Sequence, residues 1–226
     1  MSRVAFVRPL VAMGISSALA AQMLAAPLRY DVPGFSSPGP MLLGDVDADG
    51  HVDVVLPDSS GNVFVLRGDG HGGLGQALVS QDGVGLLTDA KLADLDGDGK
   101  LDLVLRGIAP GMRWLAGDGA GRFVLRGSVL GLGSRIGLVD VDRDGRPDLV
   151  DFAGSGLAVA RGSTSGPLPA VQVPLPPGLP LPFGSSGWSD AADLDGDGND
   201  DLVFYGFFSA MLLYGNGIGG FDRWQA

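Results

Sequence analysis

Cysteine and glutamate are absent from this sequence, and histidine occurs only twice, as His51 and His71. The missing cysteine excludes disulfide-laced acidic calcium repeats. It argues neither for nor against export, because a fold stapled by cations has another source of rigidity. With no Gly-x-Ser-x-Gly either, the usual nucleophile and general-base sets cannot be assembled from recognisable motifs, so the expectation is a protein that is not an enzyme. Aspartate pairs could serve a glycosidase, yet the aspartates that cluster here have another use. Only short apolar runs lie between turn signals, and Gly 39 with Pro 15 in 226 residues reads as all-β rather than helical. A hydrophobic content of 45% is ample for a core, and a net charge of −11 disfavours nucleic acid as a partner.

What the sequence has instead is aspartate, which makes up all 26 of its acidic residues. Four copies of one nine-residue loop use four each. The copies are Asp45, Asp47, Asp49 and Asp53; Asp94, Asp96, Asp98 and Asp102; Asp140, Asp142, Asp144 and Asp148; and Asp193, Asp195, Asp197 and Asp201. These sit at loop positions 1, 3, 5 and 9, with Gly50, Gly99, Gly145 and Gly198 at position 6 for a sharp turn. Carboxylates so crowded repel one another unless a hard cation neutralises them, which points to Ca²⁺ with an all-oxygen shell. The carbonyl of position 7 (His51, Lys100, Arg146, Asn199) would complete the ligand set, leaving that side chain free to vary. Four bound ions would bring the net charge to about −3, so the acidity is mostly ligand chemistry.

No EF-hand is present. Position 12 is Leu56, Leu105, Asp151 and Phe204 rather than glutamate, and short apolar, β-branched runs follow the loops, so strands rather than helices flank them. The first aspartates, at 45, 94, 140 and 193, recur at spacings of 49, 46 and 53, a repeat with one supersecondary unit per period. Each repeat also carries a Gly-rich turn about 20 residues after its loop: Gly68-Asp69-Gly70, Gly117-Asp118-Gly119, the degenerate Gly162-Ser163-Thr164 and Gly215-Asn216-Gly217. The second repeat divides into strands over 88–93, 101–107, 112–116 and 122–129. Four such strands make one blade of a β-propeller. Gly44, Ala93, Gly137, Ala191 and Ala192 suit an inner strand where blades converge. The proline-rich run 166–182 predicts a shortened fourth strand, or an extended loop in its place, in the third blade.

The Asp-x-Asp-x-Asp-Gly-x-x-Asp loops, followed by Asp-Leu-Val and then Gly-Asp-Gly-x-Gly-x-Phe, resemble FG-GAP/VCBS repeats, the integrin α-chain head family, over residues 41–226. The resemblance implies propeller blades with Ca²⁺ between strands one and two of each, four ions in all. Such propellers usually have seven blades and four are visible, at about 41–86, 87–132, 133–185 and 186–226. They could close into a small ring, associate with another copy, or belong to a longer chain.

Residues 1–20, with Arg3, Arg8 and the small-x-small triplet Ala18-Leu19-Ala20, read as a signal peptide, and 21–40 as a leader. The expectation is therefore a secreted, periplasmic or cell-surface protein with no membrane span after cleavage. The expected role is protein binding or adhesion, with Ca²⁺ rigidifying the hairpins; the alternatives are a lectin-like propeller that binds a glycan and a structural domain accessory to an enzyme. Trp114, Trp188, Tyr205, Phe207 and Phe208 could stack on sugars or pack between blades. Arg67-Gly68-Asp69 spells an integrin-recognition tripeptide, but it coincides with the repeat's own turn.

Overall fold

A computed structural model describes residues 28–108, 111–133, 135–153, 156–179, 188–205 and 210–226. The expected signal peptide 1–20, the leader up to residue 27, Phe207, Phe208 and the side chains of Trp188 and Tyr205 lie outside the described residues. The chain divides into two units, Met1–Asp31 and Val32–Ala226. In the first, Arg29 pairs with Asp31 at 2.9 Å.

Among the described residues the second unit holds sixteen strands in four antiparallel sheets, each a meander whose spatial order follows the chain. The first sheet comprises β1 (Leu42–Gly44), β2 (Asp53–Pro57), β3 (Ser60–Leu66) and β4 (Leu78–Gly85). The second comprises β5 (Leu87–Ala93), β6 (Asp102–Gly107), β7 (Met112–Gly117) and β8 (Phe123–Val129), within about one residue of the predicted bounds. The third runs through β9 (Gly137–Val139), β10 (Asp148–Ala153), β11 (Gly156–Ala160) and β12 (Val171–Val173), and the fourth through β13 (Trp188–Ala192), β14 (Asp201–Tyr205), β15 (Ala210–Gly215) and β16 (Phe221–Gln225). The prolines leave β12 with three residues, because each removes a ladder donor. No helix among the described residues is long and apolar enough to cross a membrane.

The core lies between successive sheets. In β6, Leu103 and Leu105 join Val55, Val63 and Val65 of the first sheet, while Val104 joins Leu149, Ala158 and Ala160 of the third. Successive side chains of a strand point to opposite faces, so a strand buried on both reads as the continuous run Leu-Val-Leu rather than as an alternation. In β10, likewise, Leu149 faces the second sheet and Val150 joins Leu202, Phe204 and Leu213 of the fourth.

Two buried aspartates hold the connector between the second and third sheets. Asp89 Oδ2 accepts the Ile136 N–H at 2.9 Å, and Asp151 Oδ2 accepts that of Arg135 at 2.7 Å. Burial pushes the Asp151 carboxyl up to about 6, against the opposing pull of its backbone donors and of Arg106. A carboxyl raised in the folded state favours folding most when protonated, and that contribution is lost as pH rises from about 4 to 6.

Two outcomes follow. Leu103, with none of its surface exposed, should lower unfolding free energy by about 2 to 5 kcal/mol as Leu103→Ala, measured by urea titration. Over pH 4 to 6, the chain should lose unfolding free energy relative to Asp151→Asn, on top of a constant offset for the acceptor that asparagine lacks.

Candidate metal centre

Each of the four loops joins the first two strands of its sheet, and in each the position-9 aspartate is almost wholly buried. One of its oxygens accepts the N–H of position 2, closing the loop: Val46 to Asp53 at 2.9 Å, Leu95 to Asp102 at 3.1 Å, Val141 to Asp148 at 2.9 Å and Leu194 to Asp201 at 2.9 Å. Its other oxygen accepts the N–H of the glycine that opens the Gly-rich turn: Gly68 at 2.8 Å, Gly117 at 3.0 Å, Gly162 at 2.8 Å and Gly215 at 3.0 Å. Those four glycines have no room for a side chain. A Cβ would lie 2.2 Å from the Val52, Leu101 and Asp200 carbonyl oxygens and 2.8 Å from that of Pro147.

The other loop carboxylates cap their own backbone. Position 1 accepts the position-6 N–H, from Gly50, Gly99 and Gly145 at 2.9 Å and from Gly198 at 3.0 Å. Position 5 accepts the position-7 N–H, in His51 and Asn199 at 2.8 Å and in Lys100 and Arg146 at 2.9 Å. Position 4 is left-handed as well as position 6, at Ala48, Gly97, Arg143 and Gly196, a demand the sequence reading placed on position 6 alone.

The loops gather the carboxylates as the repeat implied, with one difference in detail. Oxygens of Asp45, Asp47 and Asp53 lie within 4.8 Å of one another, as do those of Asp94, Asp96 and Asp102 and those of Asp140, Asp142 and Asp148. These are positions 1, 3 and 9. In the fourth loop the set is Asp193, Asp195 and Asp197, positions 1, 3 and 5. Several aspartate clusters could thus hold a metal ion. The donor set fits a hard cation: it is all oxygen, and Asp45 Oδ1 and Asp142 Oδ1 are buried without accepting a hydrogen bond. Burial, reinforced by Asp142 and Asp140, drives Asp148 up to about 6, and burial raises Asp102 too, the penalty that a cation would relieve.

Arginines also reach the loops, which the loop motif did not reveal. Arg67 pairs with Asp47 at 3.2 Å, Arg161 with Asp142 at 3.4 Å, and Arg223 with Asp195. Aligning the repeats on the turn glycine would have exposed two of them, since Arg67 and Arg161 directly precede it. The tripeptide at 67–69 is occupied locally. Arg67 is on Asp47, and Asp69 Oδ1 accepts the N–H groups of His71 and Gly73 at 2.8 Å. The His51 ring lies where a Cβ on Gly70 would fall, and His71 Nδ1 lies 2.7 Å from the Asp69 carbonyl oxygen.

Turns tie neighbouring sheets together, with one interruption. Gly121 donates to Val46 O at 3.1 Å and Gly219 to Val141 O at 2.8 Å, each reaching back to the preceding sheet's loop. The degenerate third turn instead folds on itself, Gly166 N–H to Ser163 O at 2.7 Å, against Trp114. A cleft of about 530 Å³ remains there, lined by Asp96, Lys100, Trp114, Arg126, Thr164 and Ser165. Trp114 is otherwise a core residue whose Nε1 donates to Asp102 at 3.2 Å.

The model of the FG-GAP-like repeat family matches residues 45–105 and 94–150. Residues 45–150 carry FG-GAP-like repeats. No curated protein matches the sequence. Among solved structures the chain is similar to an Agrocybe aegerita lectin described as specifically recognising non-reducing terminal N-acetylglucosamine, with 25% identity and a TM-score of 0.63. That match covers 82% of this chain and 50% of the lectin, so the chain spans half the length of that relative. It is also similar to part of the Photorhabdus luminescens Tc holotoxin pore, with 21% identity and a TM-score of 0.52 over 76% of this chain and 9% of that one, a likeness of fold alone.

Within one FG-GAP-like loop, scaffold and ligand duties should separate. Asp53→Asn should cost about 1 to 3 kcal/mol of unfolding free energy even in EDTA, because the two N–H groups are accepted by different carboxylate oxygens and an amide replaces one of these with a donor. Asp49→Asn keeps its one acceptor and should stay within about 0.5 kcal/mol in EDTA.

Proposed function

We propose that this FG-GAP-like repeat chain is a secreted, non-catalytic β-propeller module that binds Ca²⁺ in its four loops and recognises a glycan. The observation that carries the calcium half is the recurrence, in three of the four loops, of carboxylates from positions 1, 3 and 9 gathered within 4.8 Å. Asp45, Asp94, Asp140 and Asp193 at position 1, their position-3 partners and the buried position-9 aspartates would hold the ions. Positions 5 and 7 would close the shell. A bound ion supplies positive charge that neutralises the clustered carboxylates. Everything else comes from the chain: position 9 ties loop to turn, and the sheets fix both.

The glycan half rests on the likeness to the lectin, together with a cleft that sets charged and hydroxyl groups (Asp96, Lys100, Arg126, Thr164, Ser165) above the buried Trp114. Specificity for terminal N-acetylglucosamine belongs to that lectin and is the first sugar to try.

Native mass spectrometry in millimolar calcium and in EDTA should count four ions per chain and, in the same spectrum, the number of chains. Zero retained ions would refute the calcium half. Binding on a glycan array that free sugar competes away is the expected second result. Capture of a protein that sugar leaves untouched would replace the glycan with a protein surface, the adhesion role expected from the sequence.

A further inference from the structure

We infer that the four loops load calcium unequally, the second first, because an arginine occupies the position-3 carboxylate in the other three. The inference rests on the calcium reading above and concerns how those sites are ordered.

Among the described residues, position 3 is the one loop carboxylate paired with distant cations. In the first and third loops the cation is the residue before the turn glycine, Arg67 or Arg161. In the fourth that place is taken by Tyr214, and Arg223 from β16 stacks 4.0 Å from its ring centroid while pairing with Asp195. Two different routes thus deliver a guanidinium to the same carboxylate. The side chain of Asp47 is only 8% exposed and so is the most enclosed of the three, while those of Asp142 and Asp195 are 21% exposed.

The second loop lacks both routes. Ala116 precedes its turn glycine, and the residue paired across from it is Val124, whereas in the fourth sheet Arg223 is paired across from Tyr214. Among the described residues no cation pairs with Asp96. Lys100 pairs with Asp98 at 3.3 Å, and Arg126 lines the neighbouring cleft without an ion pair to the loop. An ion entering this loop meets Asp94, Asp96 and Asp102 with no guanidinium paired to any of them, the Arg146 side chain that packs against Gly97 being paired with Asp144 of its own loop. Entering the others, it must displace an arginine or sit beside one, and a guanidinium repels a divalent cation while it neutralises the carboxylate that would attract it.

The chain contains its own reporter. Trp114 donates to Asp102, so terbium luminescence sensitised by this indole reads the second loop. The experiment titrates the metal-stripped full chain, with Trp188→Phe and Trp224→Phe as background, while native mass spectrometry counts ions. The expected result is a Trp114 signal complete when one ion of four is bound. Ala116→Arg should weaken that signal's midpoint about fivefold, the scale of one exposed ion pair, and Arg67→Gln should tighten one of the later sites by a similar factor of about five. Arg67→Lys, which keeps the charge, should leave that site unchanged. A Trp114 signal growing in proportion to all four ions, or midpoints indifferent to both charge changes, would overturn the inference and leave the calcium reading standing. Absence of any bound ion would overturn both.

Discussion

The structure depends most on a buried carboxylate that spends both oxygens on backbone N–H groups. Burying an aspartate is costly unless its acceptors are filled. Here one oxygen closes the loop before the second strand and the other holds the turn after the third, so a single side chain such as Asp53 fixes three segments of its sheet. The turn glycine follows from the same constraint. To bring its N–H against the carboxylate, the chain passes so close to the position-8 carbonyl that no Cβ fits. The loop, the second strand and the turn glycine are therefore one device, repeated four times.

A second constraint acts between sheets. The middle strands of the second and third sheets are apolar on both faces, so each of these sheets is half of two cores, while the first and fourth each join one, and no sheet buries its surface alone. The turn glycines Gly121 and Gly219 add a polar tie to the preceding loop at two junctions. At the remaining one the third turn has lost the Asp-Gly pattern, Ser163 and Gly166 bond within the turn, and the space left open is the cleft beside Trp114. A lapse in the repeat coincides with a feature that the regular repeats do not share.

Much of this was legible in the sequence because it is carried by residue type at fixed spacing. Aspartates at positions 1, 3, 5 and 9 announced the loops, and apolar runs between glycines placed the strands of the second sheet to within about one residue. Proline content foretold the three-residue β12. What the pattern could not show was which partner each carboxylate faces. Position 5 reads as equivalent to position 3, yet in three loops its oxygens lie outside the closest set and its backbone contact is the position-7 N–H. Ala48 and Arg143 hide left-handed backbone behind ordinary side chains. Arg67, Arg161 and Arg223 lie 20, 19 and 28 residues from their aspartates, so only the folded hairpins bring them there.

The absence of glutamate now has a physical account. An aspartate carboxylate sits one carbon from Cβ, close enough to accept an N–H two to five residues on, and the loop carboxylates do this at positions 1 and 5. Asp69 and Asp118 do the same in the Gly-rich turns, where Asn216 replaces them by offering an equivalent oxygen at the same reach. A glutamate would set its carboxylate one methylene further out, able to meet a cation but poorly placed to cap the turn that positions it. At position 9 the extra methylene would also need space in a site with no exposed surface. Loop residues that must shape the backbone and present charge at once can be aspartate, whereas residues that only present charge could have been either. In the loops and the Gly-rich turns, the aspartates are therefore structural parts of the backbone they cap before any ion arrives.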